Sequence, residues 1–373
     1  MTKSDLQIEI VKKIEFNYDK NDLEDSFLKL KINGKDVNSS YINAIRWCIK
    51  NDIPSYVFDI SKINITENNS LYDNDYMSHR LSCMMLPNIN CDINYLENKY
   101  WDEVNYSDPN RPKHEDDNIQ LSLNVNVNNS QEKIKNVMSN SEGVEFYLNN
   151  RKIRPYLKNF PELIIKLKKD QKFACSCTGV LGVGVRNTIW SVADCFHTLD
   201  NSDGTFYLNI KSRNQFTETN LVEKVCKHIL IRLNILKENV ENYDFLDESR
   251  DNDEELLNID ISNDKSKKGG KNKSNDSLSK VIIVKFANEG MAIPAIINEN
   301  IQNECLASDD VIYSGVSKRS VMINKTIIKV CLKIKGTSEK KVRDEFVSLM
   351  IRNINKSIDF YETFLSKFKF LQT

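Results

Sequence analysis

Alternating apolar and polar residues predict two strands at the start of the chain, over residues 6–16 and 27–32. The pair Asn33-Gly34 is typical of the turn that follows a strand. Apolar residues then recur at helical spacing over residues 41–49, behind polar residues suited to an N-cap, so a helix is predicted there. The same reasoning predicts a strand over 56–65 and a short helix over 76–85.

The middle of the chain is more polar and rich in Asn and Asp, yet it contains one clear strand. Five apolar residues there alternate with polar ones, which predicts a strand with one face buried and the other in water. Because two further strands are predicted over 144–148 and 163–167, we expect residues 88–184 to form a β-rich insert domain. The alternating residues are Ile119, Leu121, Leu123, Val125 and Val127.

The pattern of the first unit resumes after the insert. A strand is predicted over 205–210, and an amphipathic helix follows with its apolar stripe running from Val222 to Leu236. We therefore expect residues 1–87 and 185–245 to form one discontinuous domain, interrupted by the insert.

The composition then changes over residues 246–280. An acidic run at 247–255 is followed by a run of Lys, Gly, Asn and Ser at 265–273. Apolar residues in this region are too few to offset the entropy of ordering the chain, so a flexible linker is predicted.

A second unit is predicted over residues 281–373. It begins with a strand over 281–286, and Pro294 suits the first turn of a helix because its missing N–H costs nothing there. A long terminal helix carries an apolar stripe from Val342 to Phe368. Between the two helices, strands are predicted over 311–316 and 325–334.

The two units share one order of elements: strand, short helix, paired strands and long helix. An apolar stripe as long as the terminal one exceeds what a small α+β unit can cover alone, so we expect long helix to pack against long helix. The predicted fold is therefore α+β, with two tandem domains paired inside one chain. The predicted interface residues are Val222, Cys226, Ile229, Leu233, Phe346, Leu349, Ile354 and Tyr361.

Charge and cysteine content narrow the classes of function. The 52 Lys and Arg residues nearly balance the 53 Asp and Glu residues, so the basic surplus of a protein that grips nucleic acid is missing. The nine scattered cysteines favour free thiols in a reducing compartment. The start of the chain has no apolar signal core, and no apolar run approaches the roughly 20 residues that cross a bilayer, so we expect no membrane partner.

Several motifs occur in the order typical of one family. Residues 43–49 (NAIRWCI) and 53–59 (IPSYVFD) resemble the alpha motif of the assembly subunits of multisubunit DNA-directed RNA polymerases. Residues 76–87 (YMSHRLSCMMLP) resemble the His-Arg-Leu…Pro segment that follows in these subunits. The first unit resembles the third-largest subunit, or archaeal D, and the second is similar to its smaller partner, the eleventh subunit or archaeal L. Further matching segments are 68–70, 163–167, 182–184, 190–191, 311–316 and 327–334.

This resemblance implies a non-catalytic assembly scaffold. The two domains would pair as a pseudo-dimer and hold the two large catalytic subunits, which carry the Mg²⁺-dependent nucleotidyl transfer, while small polymerase subunits dock beside the insert. The chain would then need no catalytic residue, cofactor or metal of its own and would reach DNA only through the complex. Fusion of the two subunits into one chain resembles the arrangement in large cytoplasmic DNA viruses, and this resemblance implies that the protein is located in the host cytoplasm and the virion. A cellular protein of this family would be located in the nucleus.

The resemblance also assigns large-subunit contacts and shows departures from the family. Trp47 stands where the family usually has a second Arg, which puts one polar contact in doubt. Cys91 is the only cysteine in residues 88–174, so the zinc or iron–sulfur cluster of some relatives cannot form from the insert. The expected contact residues are Asn43, Arg46, His79, Arg80 and Leu81.

Two features suggest an alternative, a nucleotide- or metal-dependent α+β enzyme. Gly179, Gly182 and Gly184 invite a phosphate-loop interpretation, but their spacing fits neither phosphate-binding pattern, and a turn or close backbone approach is favoured. Pairs of Cys and His invite a metal site, but structural zinc sites usually have longer spacings, so buried thiols are favoured. A general protein-interaction module without a polymerase is a third, weaker hypothesis. The Cys and His residues in question are Cys175, Cys177, Cys195, His197, Cys226 and His228.

Overall fold

A computed structural model describes most of the chain as a mixed α+β protein with antiparallel sheets, which agrees with the predicted fold class. Predictions for Cys91, Ile119, the runs 247–255 and 265–273 and the last residue of the strand predicted over 325–334 lie outside the described residues. The described residues are 5–15, 26–87, 89, 93, 96, 98–101, 120–156, 160–213, 215–243, 257–263, 279–287, 289–307, 311–318, 325–333 and 339–372.

The described ranges contain five α-helices and fifteen strands, with two short 3-10 helices at Asn98–Trp101 and Thr188–Trp190. None of these helices combines the length and apolar character that crossing a membrane requires. In chain order the elements are β1 (Gln7–Ile14), β2 (Phe27–Asn33), α1 (Ser39–Asn51), β3 (Ser55–Asn68), α2 (Asn74–Ser82), β4 (Leu121–Asn129), β5 (Lys135–Met138), β6 (Val144–Leu148), β7 (Arg151–Ile153), β8 (Leu163–Leu167), β9 (Gln171–Gly182), β10 (Ala193–Asp200), β11 (Thr205–Ser212), α3 (Glu218–Glu241), β12 (Leu257–Asn263), β13 (Ser279–Ala287), α4 (Ala292–Ala307), β14 (Val311–Lys318), β15 (Lys325–Lys333) and α5 (Glu339–Phe370).

The first sheet has the strand order β1-β2-β11-β10, with every pair antiparallel. In β2, Leu28, Leu30 and Ile32 are buried and alternate with half-buried residues, so one face of the sheet forms the core. Helix α1 packs against β10 and β11, and α3 packs against β2 and β11. We call β1, β2, α1, β10, β11 and α3 the first half.

The insert is a five-stranded sheet of order β3-β9-β4-β6-β7 with a two-stranded sheet, β5-β8, beside it. The predicted alternation holds in β4, where Leu121, Leu123 and Val125 are buried between exposed or half-buried residues. Strand β3 pairs along β9 from Ser55 to Asn68. The predicted boundary at residue 88 therefore does not coincide with a sheet boundary, because a strand assigned to the first domain belongs to the sheet of the insert.

The second sheet has the order β12-β13-β15-β14, again antiparallel throughout. The flexible-linker prediction for residues 246–280 is wrong for β12, which lies inside that range and pairs along β13. Its Leu257 and Ile259 are buried and Ile261 is packed against the core, so a short apolar alternation is enough to extend the sheet. We call β12, β13, α4, β14, β15 and α5 the second half.

The two halves have the same topology. In each sheet the first strand lies at one edge, the second lies beside it, the fourth comes next and the third forms the other edge. Each half carries a shorter helix after its second strand and a long helix after its fourth. Corresponding helices also meet across the halves, α1 with α4 and α3 with α5. Strand β12 completes this correspondence, because it takes the place that β1 has in the first half.

Candidate functional site

The buried surface where the two halves meet is the candidate site. Helices α3 and α5 pack against each other, as the sequence predicts, and one continuous apolar core includes residues from both halves. Tyr361 contacts the other half directly, since its hydroxyl donates a hydrogen bond to the carbonyl oxygen of Tyr41 at 3.1 Å. The predicted interface residues, all buried, are Val222, Cys226, Ile229, Leu233, Phe346, Leu349, Ile354 and Tyr361.

The ends of the long helices make a reciprocal contact with the opposite half. Just beyond α3, the Tyr243 hydroxyl accepts a hydrogen bond from the backbone N–H of Ile259 in β12 at 2.9 Å. Near the end of α5, the Lys367 ammonium donates to the carbonyl oxygen of Leu6, just before β1. Each long helix therefore reaches the edge strand of the half to which it does not belong.

A buried arginine forms the first polar link between the halves. Arg232 lies on α3 with its side chain 3% exposed, and its Nη1 donates to Asp52 Oδ2 at 2.8 Å. Its Nε and Nη2 donate to the two carboxylate oxygens of Glu289, the Nε bond being 3.0 Å long. Asp52 caps α1 in the first half, whereas Glu289 precedes α4 in the second. We call Cys48, Asp52, His228, Arg232 and Glu289 the charged cluster.

The charges in this cluster compensate one another. Burial works against ionisation of Asp52, but the neighbouring His228 and the Arg232 charge together hold the pKa of that carboxyl below its ordinary value. Burial likewise opposes the charge of Arg232, yet Glu289 and its other neighbours keep the pKa of the guanidinium well above its ordinary value. The Cys48 thiol is different: burial first, and then the Asp52 charge, raises its pKa well above normal, which keeps it protonated.

The same cluster is the one metal-like grouping within the described part of the chain. Ligand atoms of Cys48, Asp52 and His228 lie within 4.8 Å of one another. However, Nη1 of Arg232 lies 3.6 Å from Cys48 Sγ, 2.8 Å from Asp52 Oδ2 and 3.4 Å from His228 Nε2. The guanidinium therefore stands where a cation would bind, and the positive charge at this site is a side chain.

The Cys and His pairs singled out in the sequence are not brought together into a ligand set in the described ranges. Cys175 and Cys177 lie side by side on β9 and are buried, and Cys195 is buried on β10. Cys226 is fully buried on α3, where burial raises its pKa. These positions favour the buried-thiol interpretation.

The glycine-rich segment at the end of β9 serves close packing. A Cβ on Gly184 would lie 2.1 Å from the carbonyl oxygen of Lys50, and the N–H of Val185 donates to the Asn51 carbonyl at 3.0 Å. Only glycine allows the backbone to approach the end of α1 this closely. This geometry agrees with the close-approach interpretation rather than with a phosphate loop.

The second polar link between the halves is formed by uncharged side chains, one of which, Asn353, also donates to the Glu304 carboxylate at 3.2 Å. The Tyr41 hydroxyl of α1 is hydrogen-bonded to the Asn300 side chain of α4. Asn300 Nδ2 also donates to Ser357 Oγ at 3.0 Å and to the Asn353 carbonyl at 3.3 Å, both on α5. The Tyr41 ring stacks on Phe360 with centroids 4.1 Å apart. We call Tyr41, Asn300, Asn353 and Ser357 the neutral cluster.

The expected large-subunit contacts fall into two groups. Asn43 is exposed on α1 and accepts a hydrogen bond from Arg46 Nε at 2.9 Å, and His79 is exposed on α2. Arg80 instead donates to the carbonyl oxygens of Leu163 and Ile164 at 2.7 and 2.8 Å, so it fastens α2 to β8.

Leu81 is fully buried, and the prediction that it contacts a partner is wrong for this structure. Arg80 and Leu81 follow each other on one short helix, where neighbouring side chains point in different directions. A motif of consecutive residues therefore cannot lie wholly on one surface of the helix. The candidates that remain at the surface are Asn43 and His79, which are exposed, and Arg46, which is half-buried, and their contacts with a large subunit stay a prediction.

No protein-family model matches this chain, and no curated protein matches it. The family therefore remains a proposal, based on the sequence motifs and on the way the halves are joined. Residues that sequence reasoning missed are central to that junction, above all Arg232 and Glu289. One signal could have revealed Arg232: it stands four residues after His228, inside the apolar stripe of α3, where an exposed cation is not expected.

Proposed function

We propose that this chain is the assembly scaffold of a multisubunit DNA-directed RNA polymerase, in which two alpha-like dimerisation domains fused in tandem form an intramolecular pseudo-dimer. Its first half plays the part of the third-largest subunit and its second half that of the eleventh. The scaffold holds the two large catalytic subunits, which carry out the nucleotidyl transfer. It binds DNA only through the complex and functions where that complex assembles, in the cytoplasm and virion of a large DNA virus.

One observation carries the proposal: two sheets of the same strand order, each with a short and a long helix, meet helix to helix. Such a repeated unit would bury its apolar helix faces only by pairing, because each sheet covers just one side of its helices. Burial of this apolar surface drives the association at roughly 25 cal/mol per Å². Fusion raises the effective concentration of the second domain to about millimolar, so pairing does not wait for a separate chain.

The outer side of α1 is the surface best suited to a large subunit. Asn43 and Trp47 are exposed and Arg46 is half-buried, so an amide, an indole and a guanidinium lie on one side of the helix. Trp47 is 41% exposed, and a Trp beside an Arg is a combination enriched at the centres of protein interfaces. The Trp47 ring thus offers apolar contact where the family that the motifs resemble usually has a second Arg.

Purification from the natural source tests this function. The full chain carries a tag at one end, and the proteins that co-elute under native conditions are identified and quantified. We expect two very large chains in stoichiometric amounts, together with small subunits. Recovery of the chain alone, or with unrelated partners, contradicts the proposal.

A matched pair of variants locates the contact. Arg46→Ala removes a cation from the outer side of α1, and Lys227→Ala removes one from an exposed position on α3. We expect Arg46→Ala to reduce recovery of a large chain and Lys227→Ala to leave it unchanged. Equal recovery with both variants argues against α1 as the contact surface.

A further inference from the structure

The charged and neutral clusters occupy equivalent positions in the two halves. His228 and Arg232 of α3 correspond to Asn353 and Ser357 of α5, and each pair is one helical turn apart on a buried stripe. The apolar residues around them support this match, because buried positions coincide along both helices. Leu221, Val225, Ile229, Leu233 and Leu236 fall on Phe346, Met350, Ile354, Ile358 and Tyr361.

The shorter helices match in the same way. Cys48, which touches Arg232, corresponds to Asn300, which touches Ser357. The same alignment makes Val37 the counterpart of Glu289. The buried residues Tyr41, Ile42, Ala44, Ile45, Cys48 and Ile49 of α1 fall on Ile293, Pro294, Ile296, Ile297, Asn300 and Ile301 of α4.

Each cluster is completed by one residue from the opposite half. In both clusters, the counterpart of this completing residue has a different chemistry. Glu289 supplies a carboxylate to Arg232, whereas its counterpart Val37 has no polar side-chain atom. Tyr41 supplies a hydroxyl to Asn300, whereas its counterpart Ile293 is a buried hydrocarbon. Exchanging one half for a copy of the other would therefore remove the completing group.

We infer that the two clusters are recognition elements that make each half accept the unlike half and reject a copy of itself. In a pair of two first halves, Arg232 would face Val37 and lose the carboxylate of Glu289. Asp52 of the same half would still accept from Nη1, but the Nε and Nη2 donors of the buried guanidinium would lose their acceptors, and leaving buried donors of a charged group unpaired is costly. In a pair of two second halves, Asn300 would face Ile293 and lose its hydroxyl partner, a smaller penalty of the same sign.

The charged cluster therefore selects a half that has a carboxylate before its shorter helix, and the neutral cluster selects a half that has a phenol within its shorter helix. Apolar burial alone would not discriminate, because the matched apolar positions are similar in both halves. The polar residues supply the discrimination, so a chain folds into one closed pair and does not build open chains with further copies through like halves. This inference does not depend on the identity of the larger complex.

Native mass spectrometry of the cut chain tests the inference. A protease site is placed in the acidic run 247–255, which lies between α3 and β12, the folded full chain is cut there, and the product is unfolded in urea and refolded. We expect every pair to contain one first half and one second half. Pairs of like halves in the unmodified protein, or halves that no longer pair, overturn the inference.

One variant is designed to create the forbidden pair. Val37→Glu gives the first half the carboxylate that Glu289 supplies from the second, so Arg232 of one first half finds a partner on another. We expect pairs of two first halves to rise at least about tenfold over the unmodified protein. Lys35→Glu is the control, since it places a carboxylate at an exposed position in the same loop and changes the net charge by more than Val37→Glu does, yet it should yield no like pairs.

A second variant removes the carboxylate from the second half instead of adding one to the first half. Glu289→Val gives the second half the residue of the first, so the mixed pair loses its advantage and like pairs of first halves should also increase. If Val37→Glu and Glu289→Val both leave the pairs strictly mixed, the clusters do not encode pairing. If Lys35→Glu produces like pairs as readily as Val37→Glu, added charge rather than the position of Glu289 is responsible, and the inference fails.

Discussion

The charged cluster buries an arginine and two carboxylates between the halves, whereas the neutral cluster joins equivalent positions with a phenol, amides and a hydroxyl. Arg232 is 3% exposed, so its charge is withdrawn from water and depends on Asp52 and Glu289. The neutral cluster has no such dependence, because an amide or hydroxyl that loses a partner forfeits only a hydrogen bond. The comparison teaches that one junction is specific through charge and the other through hydrogen-bond geometry.

The largest expected effect comes from breaking the charged cluster on one side. Glu289→Ala leaves the buried Arg232 with Asp52 alone, and we expect the free energy of unfolding to fall by about 3–5 kcal/mol. Urea denaturation followed by circular dichroism measures this change. The triple variant Arg232→Met with Asp52→Asn and Glu289→Gln removes the guanidinium together with both carboxylates, so it should lose less than Glu289→Ala, and a larger loss in the triple variant would contradict the account.

The neutral cluster should respond less strongly. Asn300→Leu keeps the approximate volume but leaves the Tyr41 hydroxyl and the Ser357 hydroxyl without their shared partner, which we expect to cost about 1–3 kcal/mol. The same urea denaturation provides the comparison. A loss as large as that of Glu289→Ala would remove the distinction between the clusters.

Acid should weaken the charged cluster selectively. The folded-state pKa of Asp52 lies below its ordinary value of 3.8, so its contribution to stability is present above that value and is lost as the pH falls through the lower, folded-state pKa. We expect Asp52→Asn to flatten this acid limb in unfolding curves recorded at successive pH values. Asn300→Leu should keep the pH dependence of the unmodified protein, and a flattened curve there would contradict the assignment.

The smallest effect is expected where an ion pair is exposed. Arg352 pairs with Glu304 at 2.8 Å beside the neutral cluster, but its side chain is 62% exposed. Solvent screens such a pair, so Arg352→Met should change the free energy of unfolding by less than about 1 kcal/mol. Thermal unfolding of Arg352→Met and of Glu289→Ala is measured side by side. The difference in stability loss shows whether burial, rather than charge as such, determines the size of the effect.

The elements of the fold were predictable wherever apolar periodicity is long. The apolar stripe of α5 and the apolar alternation of β4 both show which face of the element lies in the core, because an apolar face must be buried. β12 was missed because it contains only three apolar residues, Leu257, Ile259 and Ile261, and lies between an acidic run and a Lys-rich run, so composition over a wide window hides so short an alternation. The position of β12 becomes evident only in the structure, where it pairs along the edge of β13.

The candidate site was predictable in its apolar part and not in its polar part. Burial of Ile229 and Leu233 follows from their spacing, and the position of Arg232 inside the same stripe is a signal for a buried cation, but the sequence does not show that Glu289 is its partner. That contact joins residues far apart in sequence, and no local pattern encodes it. Leu81 failed as a contact for a related reason, since the motif does not show which of its residues faces the core.

Hydrogen exchange resolved by peptide, on the full chain with and without Glu289→Ala, tests most directly whether the halves form one unit through their long helices. Joined halves open together, so we predict that the variant increases amide exchange in both α3 and α5 by similar factors. Faster exchange confined to α4 and the second sheet, with α3 as protected as before, would show that the halves are stable separately and would contradict the paired scaffold.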